Sequence, residues 1–287
     1  MLVSLTEVLK TADRTQSAIG SFNTPNLESL LAVLGAAEQL RRPVILMHAQ
    51  IHEEIMPLDI IGPIMCSLAE RASVPVCVHL DHGTDVSYVR HAVDLGFTSV
   101  MYDGSTLPYA QNVSDTCAVV AYAHARGVAV EAEIGVMGKR ELGAGHASDD
   151  DAPERIYTDP QEAARFVRET GIDALACSFG TAHGLYLKKP QLDFTVLERV
   201  RQATGVPLVM HGGSGVSPED YRSAIAHGVR KINYYTYMAK AGGDAVRQAV
   251  REAPDAVLYF HDLAGTAERA MRENVRSAIA LFSAGLD

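Results

Sequence analysis

A single (β/α)8 (TIM) barrel is the fold that these 287 residues predict, with a long mobile loop after the fifth strand and an extra C-terminal helix. Three observations predict it. Short β-rich runs alternate with helix-patterned segments from end to end. Several of those helices stop at a glycine just before the next run, the left-handed stop that opens a loop back into a strand. Unusual polar residues gather at the C-terminal ends of the runs, the face on which such barrels carry their chemistry.

In chain order, strands are expected over Ala18–Phe22, Val44–Met47, Val76–Leu80, Ser99–Tyr102, Ala129–Ile134, Ala174–Ser178, Leu208–Met210 and Val229–Ile232. Amphipathic helices are expected over Leu27–Arg41, Val86–Leu95, Ser114–Arg126, Gln161–Thr170 and Pro218–His227, where apolar residues recur at helical spacing. The chain after Ala264 reads as the C-terminal helix and a candidate oligomer contact. The glycine stops are Gly96, Gly127, Gly171, Gly205 and Gly228. A doubly wound open sheet is the competing architecture, but no GxGxxG follows the first strand. Gly135–Tyr157 is rich in Gly and Asp and carries Asp149-Asp150-Asp151. It is too long for an ordinary connection and reads as a mobile active-site lid or a solvated excursion, its place on the catalytic face favouring the lid. The chain, 1–287, is read as one domain, because barrels of this kind reach such lengths as a unit.

Hydrophobic residues make up 47% and charged residues 21%, with mean hydropathy near zero, as expected of a soluble chain with a large core. No apolar run reaches the length of a membrane span, and Met1–Leu9 has neither the basic start nor the apolar stretch of a secretory leader. The net charge of −10 argues against nucleic acid or an anionic membrane as partner. It leaves phosphorylated small molecules open, since backbone amides bind those locally. Cys66, Cys77, Cys117 and Cys177 are widely spaced in apolar surroundings and form no CxxC pair, which reads as reduced core thiols of a cytoplasmic protein.

The third strand ends in His79-Leu80-Asp81-His82-Gly83 and the fourth in Asp103-Gly104-Ser105. The fifth carries Glu131 and Glu133, and the sixth runs into Gly180-Thr181-Ala182-His183-Gly184. The seventh ends in His211-Gly212-Gly213-Ser214-Gly215, and the eighth ends at Asn233. A barrel brings these ends together. His82, His183 and His211, from three strand ends with carboxylates beside them, suit one zinc ion, because three imidazole donors leave a coordination position for substrate. A lone histidine after a strand is more often structural; the convergence supplies the weight. His48, His52, His91, His124, His146, His227 and His261 lack such company and read as surface, loop or core residues, although His48 also stands at a strand end. Gly212–Gly215 would let backbone N–H groups approach an anion closely, ahead of a helix starting near Ser217-Pro218, where barrels often hold phosphate.

On these residues the chain resembles the class II, metal-dependent ketose-bisphosphate aldolases, which include fructose- and tagatose-bisphosphate aldolases. The resemblance covers nearly the whole chain. It rests on Ser21-Phe22-Asn23 with Asn26, on His79-Leu80-Asp81-His82, on Glu131-Ala132-Glu133-Ile134-Gly135, on the two glycine-rich motifs around His183 and His211, and on Lys231-Ile232-Asn233 with Thr236. It implies reversible retro-aldol cleavage of a phosphorylated ketose to dihydroxyacetone phosphate and an aldehyde by a homodimer or homotetramer. It further implies that His82, His183 and His211 hold one catalytic Zn2+, and that Asp81 transfers the proton. Asp103 and Glu133 match residues at an alternative metal position, for a second metal or a monovalent cation. Gly184, Gly212, Gly213, Ser214 and Thr236 match the cradle for the phosphate, Asn233 a contact to the carbon skeleton, and Asn23 joins the substrate-binding set. Glu141, in the loop, aligns with a glutamate that handles the proton at the nucleophilic carbon, and closure of that loop would exclude water.

The chain also departs from the family pattern. Tyr234-Tyr235-Thr236-Tyr237 stands where relatives usually have a small or acidic residue at 235 and an acidic one at 237. Ala49 replaces a common serine, with Met47 and His48 beside it; Gly83 follows His82 where His or Cys is common; Lys139 and Arg140 enter the loop. The metal site reads as intact and the substrate-recognition shell as altered. Arg272 of the partner subunit is a candidate anchor for a distal phosphate. Other chemistries remain in play: a Schiff-base enzyme using Lys231, which shares strand parity with Asn233 but reads better as an ion-paired structural lysine, and a metal-dependent sugar-phosphate epimerase or isomerase. A noncatalytic sugar-phosphate-binding paralogue is a further reading, against which the retained Asp81 speaks.

Overall fold

The structure is a computed structural model that describes residues 1–135, 138–139, 157–184 and 190–283, with only the backbone described at 138, 139 and 183. The expected lid and Glu141 therefore lie outside the described residues, apart from scattered backbone at its edges. Eight parallel strands close into a barrel: β1 (Ile19–Asn23), β2 (Val44–Ala49), β3 (Val76–Gly83), β4 (Ser99–Tyr102), β5 (Ala129–Ile134), β7 (Ala174–Cys177), β9 (Leu208–Met210) and β10 (Val229–Tyr234). They follow one another around the barrel in chain order, and β10 closes it by pairing with β1, Ser21 opposite Asn233. A separate two-stranded sheet joins β6 (Gly138–Lys139) to β8 (Ala182–His183) above the barrel connections, with Lys139 opposite His183.

Strand alternation divides the core in two. Outward residues such as Val44, Leu46, Val76, Val78, Val100 and Val130 pack under the helices. Those helices are α2 (Leu27–Leu40), α3 (Leu58–Arg71), α4 (Val86–Asp94), α5 (Tyr109–His124), α6 (Pro160–Thr170), α7 (Phe194–Thr204), α8 (Pro218–Ala226), α9 (Thr236–Glu252) and α10 (Phe260–Phe282). Inward residues Ile19, Ile45, Met47, Cys77, Met101, Ala129, Ala174, Ala176 and Val209 fill the lower lumen. There they meet Leu5, Val8, Leu9 and Ala12 of α1 (Leu5–Arg14), a helix that closes the N-terminal mouth. Further up, the same inward positions turn polar: Ser21, Asn23, His79, Asp81, Ser99, Glu131, Glu133, Lys231 and Asn233 are all buried. The lumen is thus apolar at its base and charged at the catalytic end.

All eight expected strands are present, and most run one to three residues further toward the catalytic end or match outright. The five glycine stops all have positive φ, between 70° and 109°. α1 was not expected, and of the helices expected after each strand α3, α7 and α9 were not given bounds; α3 carries Pro63 inside it. Cys77 and Cys177 are core thiols as expected, but Cys66 and Cys117 are only half-buried, and all four are free. The C-terminal α10 packs along α2 and α9. Among the described residues no helix is long and apolar enough to cross a membrane.

Gly205 has φ +70° and nothing within 4 Å of where a Cβ would stand, so its substitution isolates the backbone penalty. Gly205→Ala should lower unfolding free energy by about 1–2 kcal/mol in urea titrations, the cost of a left-handed L-residue, and Gly205→Asn by clearly less.

Candidate active site

Consecutive residues on a regular strand face opposite sides of the sheet, yet Asp81 and His82 bring donor atoms into one group with His211. A break in strand regularity makes this possible. The β3–β4 register shifts between Leu80 and Gly83, and His82 adopts φ +45°, a left-handed conformation unfavourable for a non-glycine residue. Gly83 completes the kink: a Cβ there would lie 2.5 Å from Val89 and 2.9 Å from the Met101 carbonyl. That close approach gives the sequence's departure at Gly83 a steric reason.

His82 Nδ1 is 2.7 Å from Asp103 Oδ2, and Asp103 Oδ1 accepts bonds from the Ser105 backbone N–H at 3.1 Å and hydroxyl at 2.6 Å. His211 lies wholly buried between two carboxylates, Nε2 at 2.9 Å from Glu131 Oε1 and Nδ1 at 3.2 Å from Glu133 Oε2. Burial alone would lower the His211 pKa, but hydrogen bonds to Glu131 and Glu133 reverse this and raise it to about 10. The same contest raises His82, where burial is overcome by the charges of Asp81 and Asp103. Burial of Asp81 opposes its ionisation, yet the positive field of His82 and Lys231 holds it below the usual carboxylate range. Two side-chain amides fix that carboxylate: Asn23 Nδ2 donates to Oδ2 at 2.8 Å and Asn233 Nδ2 to Oδ1 at 3.0 Å. Each asparagine leaves its own amide oxygen buried without a partner, a pair of acceptors suited to ligand hydroxyls.

Two overlapping groups of donor atoms share His82: Asp81, His82 and His211, and His82, Asp103 and Glu133, each lying within 4.8 Å. Imidazole nitrogens with carboxylate oxygens, buried at a strand-end mouth, fit a divalent transition metal. The backbone of His183 arrives on β8, but its side chain lies outside the described residues, as does Glu141. Glu131, which the sequence reading left without a role, proves central. Its second oxygen is 2.8 Å from Lys231 Nζ, and both side chains are fully buried. Lys231 Nζ also approaches His79 Nε2 at 3.5 Å, and His79 Nδ1 meets Ser99 Oγ at 2.8 Å. The spacing of Glu131 from Glu133, two residues and therefore one face, was the available signal. Lys231 is the ion-paired structural lysine of the sequence reading rather than a free amine poised for a Schiff base.

The glycine-rich loop after β9 is set by close packing. At Gly212, φ +61°, a Cβ would sit 2.3 Å from the Ala182 carbonyl; at Gly213 it would sit 2.7 Å from that of Asn233. Gly213 N–H donates to the Asn233 carbonyl at 3.1 Å, so this amide binds β10, whereas Ser214 Oγ accepts from Tyr235 N–H at 3.1 Å. The helix beginning at Pro218 is capped by the Ser217 hydroxyl and carries Glu219 and Asp220 in its first turn, which makes its N-terminus a poor anion site. The N-terminus of α9, at Thr236, has no side-chain cap and adjoins Ser214 through Tyr235. Gly184, with φ +96°, turns the chain out of β8. Of the unusual tyrosines, Tyr234 packs outward on Phe22 and Phe282, Tyr237 covers Gly215, and Tyr235 meets the His52 ring at a tilt, 5.2 Å between ring centroids.

Two predictions follow from the buried histidines. Burial pushes His48 down to about 4 and, with Lys231 beside it, His79 down to about 3. Because these folded-state values lie below the ordinary 6.5, the stability involved is fully present above pH 6.5 and is lost as pH falls through that value toward 4 and 3. The unfolded chain then takes protons that the native state refuses, up to about 1.4 kcal/mol per pH unit for each histidine. Urea unfolding at pH 7 and pH 4.5 should show this slope reduced in His48→Gln; an unchanged slope would refute the assignment. Second, Glu131→Gln should weaken divalent-metal affinity about 10–100-fold in competition with a chromophoric chelator, because the carboxylate orients His211.

A model of the family described as fructose-bisphosphate aldolase class-II matches residues 3–285 of the chain. The fructose-bisphosphate aldolase of Geobacillus stearothermophilus is 42% identical over 260 residues, 88% of each chain. That of Staphylococcus aureus strain Mu50 is 38% identical over 289 residues, 98% of this chain and 97% of the relative. Among solved structures, the YdjI aldolase of Escherichia coli K12 superposes with a TM-score of 0.85 at 35% identity, covering 98% of this chain and 97% of that one. A putative fructose-1,6-bisphosphate aldolase from Coccidioides immitis gives 0.83 at 32%, covering 97% and 95%. With the barrel, the convergent donors and full-length similarity in agreement, the chain belongs to the class-II fructose-bisphosphate aldolase family, a family of lyases.

Proposed function

We propose that the protein is a zinc-dependent aldolase that reversibly cleaves a phosphorylated ketose to dihydroxyacetone phosphate and an aldehyde. The observation that carries this reading is Asp81, a buried carboxylate clamped by two asparagine amides within the convergent group of donors. His82, His183 and His211 would hold the ion, with Asp103 and Glu133 offering an alternative position around the shared His82. Bound there, the metal supplies Lewis-acid polarisation of the substrate carbonyl. Asp81 takes the proton of the hydroxyl next to the breaking carbon–carbon bond and returns it to the aldehyde oxygen in the condensation direction. Its fixed geometry matters more than its basicity, since the asparagines leave it one approach. The loop of Gly184, Gly212, Gly213 and Ser214, with the uncapped start of α9 at Thr236, orients the phosphate at the unreacting end. Glu141 handles the proton at the nucleophilic carbon. A homodimer or homotetramer would cover the apolar groove between α2 and α10, where Leu31 and Phe260 are exposed.

Zinc-loaded enzyme offered a panel of ketose phosphates should release dihydroxyacetone phosphate, and a chelator should abolish the release. Asp81→Ala should cut kcat by about 10²–10⁴-fold while zinc content stays stoichiometric. Turnover of that variant near the wild-type rate would remove Asp81 from the mechanism. Interconversion of sugars without triose phosphate release would make the enzyme an epimerase or isomerase.

A further inference from the structure

The rim of the mouth from β10 across β1 to β2 carries a set of polar groups that the reaction scheme does not use. His48, at the end of β2, is fully buried, and both of its ring nitrogens lack a hydrogen-bond partner. His52, in the 3₁₀ turn Gln50–His52 that follows, keeps 8% exposure, and its Nδ1 is also buried and unpartnered. The two rings lie 6.2 Å apart, and His52 stands 5.2 Å from Tyr235 at the start of α9. Buried imidazole nitrogens are rarely left unsatisfied, so three in one cluster ask for a ligand. The neighbouring amide oxygens of Asn23 and Asn233 ask for the same.

The position identifies which part of a ligand would lie there. The phosphate loop occupies the β9–β10 side of the mouth, and Asp81 stands on β3. The cluster fills the rim between them and lies close enough to Asp81 for its charge to act on both imidazoles. Since Asp81 serves the hydroxyl at the cleaved bond, the aldehyde half of the ketose extends along this rim. We propose that His48, His52 and Tyr235 form a hydroxyl-binding subsite for that aldehyde half, so that the preferred ketose carries phosphate only at its dihydroxyacetone end and an uncharged, hydroxylated chain at the other. The inference rests on the aldolase reading above. His52, the more exposed of the two, lies nearer the opening, and His48 lines the deeper end of the subsite.

Charge supports an uncharged occupant. Residues 50–57 contain Glu53 and Glu54 and no lysine or arginine. Glu53 is committed to the Leu58 N–H at 2.8 Å and the Tyr88 hydroxyl at 2.6 Å. Burial lowers both histidines, His48 to about 4, so at neutral pH each offers one donor and one acceptor rather than a cation. Arg272, the sequence's candidate anchor for a distal phosphate, is held by Glu268 at 2.8 Å and lies over Gly35 on α2.

The test offers the zinc-loaded full chain the C3/C4 diastereomers of a ketohexose 1-phosphate and their 1,6-bisphosphate counterparts. A monophosphate should be cleaved with kcat/KM at least about tenfold above its bisphosphate. His52→Ala should raise KM for the monophosphate about tenfold with a smaller change in kcat, equivalent to losing one hydrogen bond of about 1.4 kcal/mol. His52→Asn, which restores a donor and an acceptor, should recover part of that loss, and melting temperature reports whether each variant folds. Preference for the bisphosphate overturns the subsite, as does an unchanged KM in folded His52→Ala. Solvent deuterium exchange into dihydroxyacetone phosphate by the wild type separates the two readings, since exchange needs no aldehyde. Its absence overturns the aldolase assignment together with the subsite; exchange combined with bisphosphate preference overturns the subsite alone.

Discussion

The arrangement of the catalytic end depends on a single buried ion pair, Lys231 with Glu131, fully shielded from water at 2.8 Å. Removing two charges from water costs more than their attraction returns unless the remaining lone pairs and protons are also satisfied. Here they are. The other Glu131 oxygen takes His211 Nε2, and Lys231 reaches His79, which in turn meets Ser99. β5 and β10 do not pair in the sheet, so this network crosses the lumen and ties opposite walls of the barrel together. The apolar layer below, closed by α1, keeps water from competing for these bonds.

The network also orients both histidine rings. Glu131 holds His211 Nε2, which turns Nδ1 toward Glu133 at 3.2 Å, and Asp103 holds His82 Nδ1. Four acidic side chains, Asp81, Asp103, Glu131 and Glu133, surround the site against one lysine. This excess explains why His82 and His211 are both pushed toward protonation. A dication held by these donors would relieve the same excess of negative charge. The strained backbone of His82 belongs to this logic: the kink lets adjacent residues of β3, Asp81 and His82, bring their donor atoms into one group.

Much of this was legible in the sequence. Eight strands, the glycine stops and the convergence of Asp81, His82, Asp103, Glu133 and His211 follow from periodicity and from one geometric rule about barrels. The residues that escaped did so for identifiable reasons. Pro63 disguised α3, because a proline normally argues against a helix interior. α1 gave no strand-and-helix rhythm, since it precedes the first strand and packs across the barrel's end. Glu131 looked like a neighbour of Glu133, and only the lumen partner Lys231, a hundred residues later in the chain, reveals its role. Capping was not legible either: the loop leads into α8, where Ser217 and two acidic residues occupy the N-terminus, whereas α9, starting at Thr236, has no side-chain cap.

The same geometry separates side chains fastened to the lumen network from those that only line its rim. The metal donors with described side chains stand on strand ends or immediately after them, fastened to the lumen network, and replacing any one would leave another charge buried without its partner. Tyr235, His52 and Ala49 occupy the rim, where the strands of β2 and β10 give way to loops and side chains contact each other rather than the network. A substitution there alters what the mouth presents without disturbing the ion pair beneath it. Loops on a rigid scaffold are where specificity is free to vary.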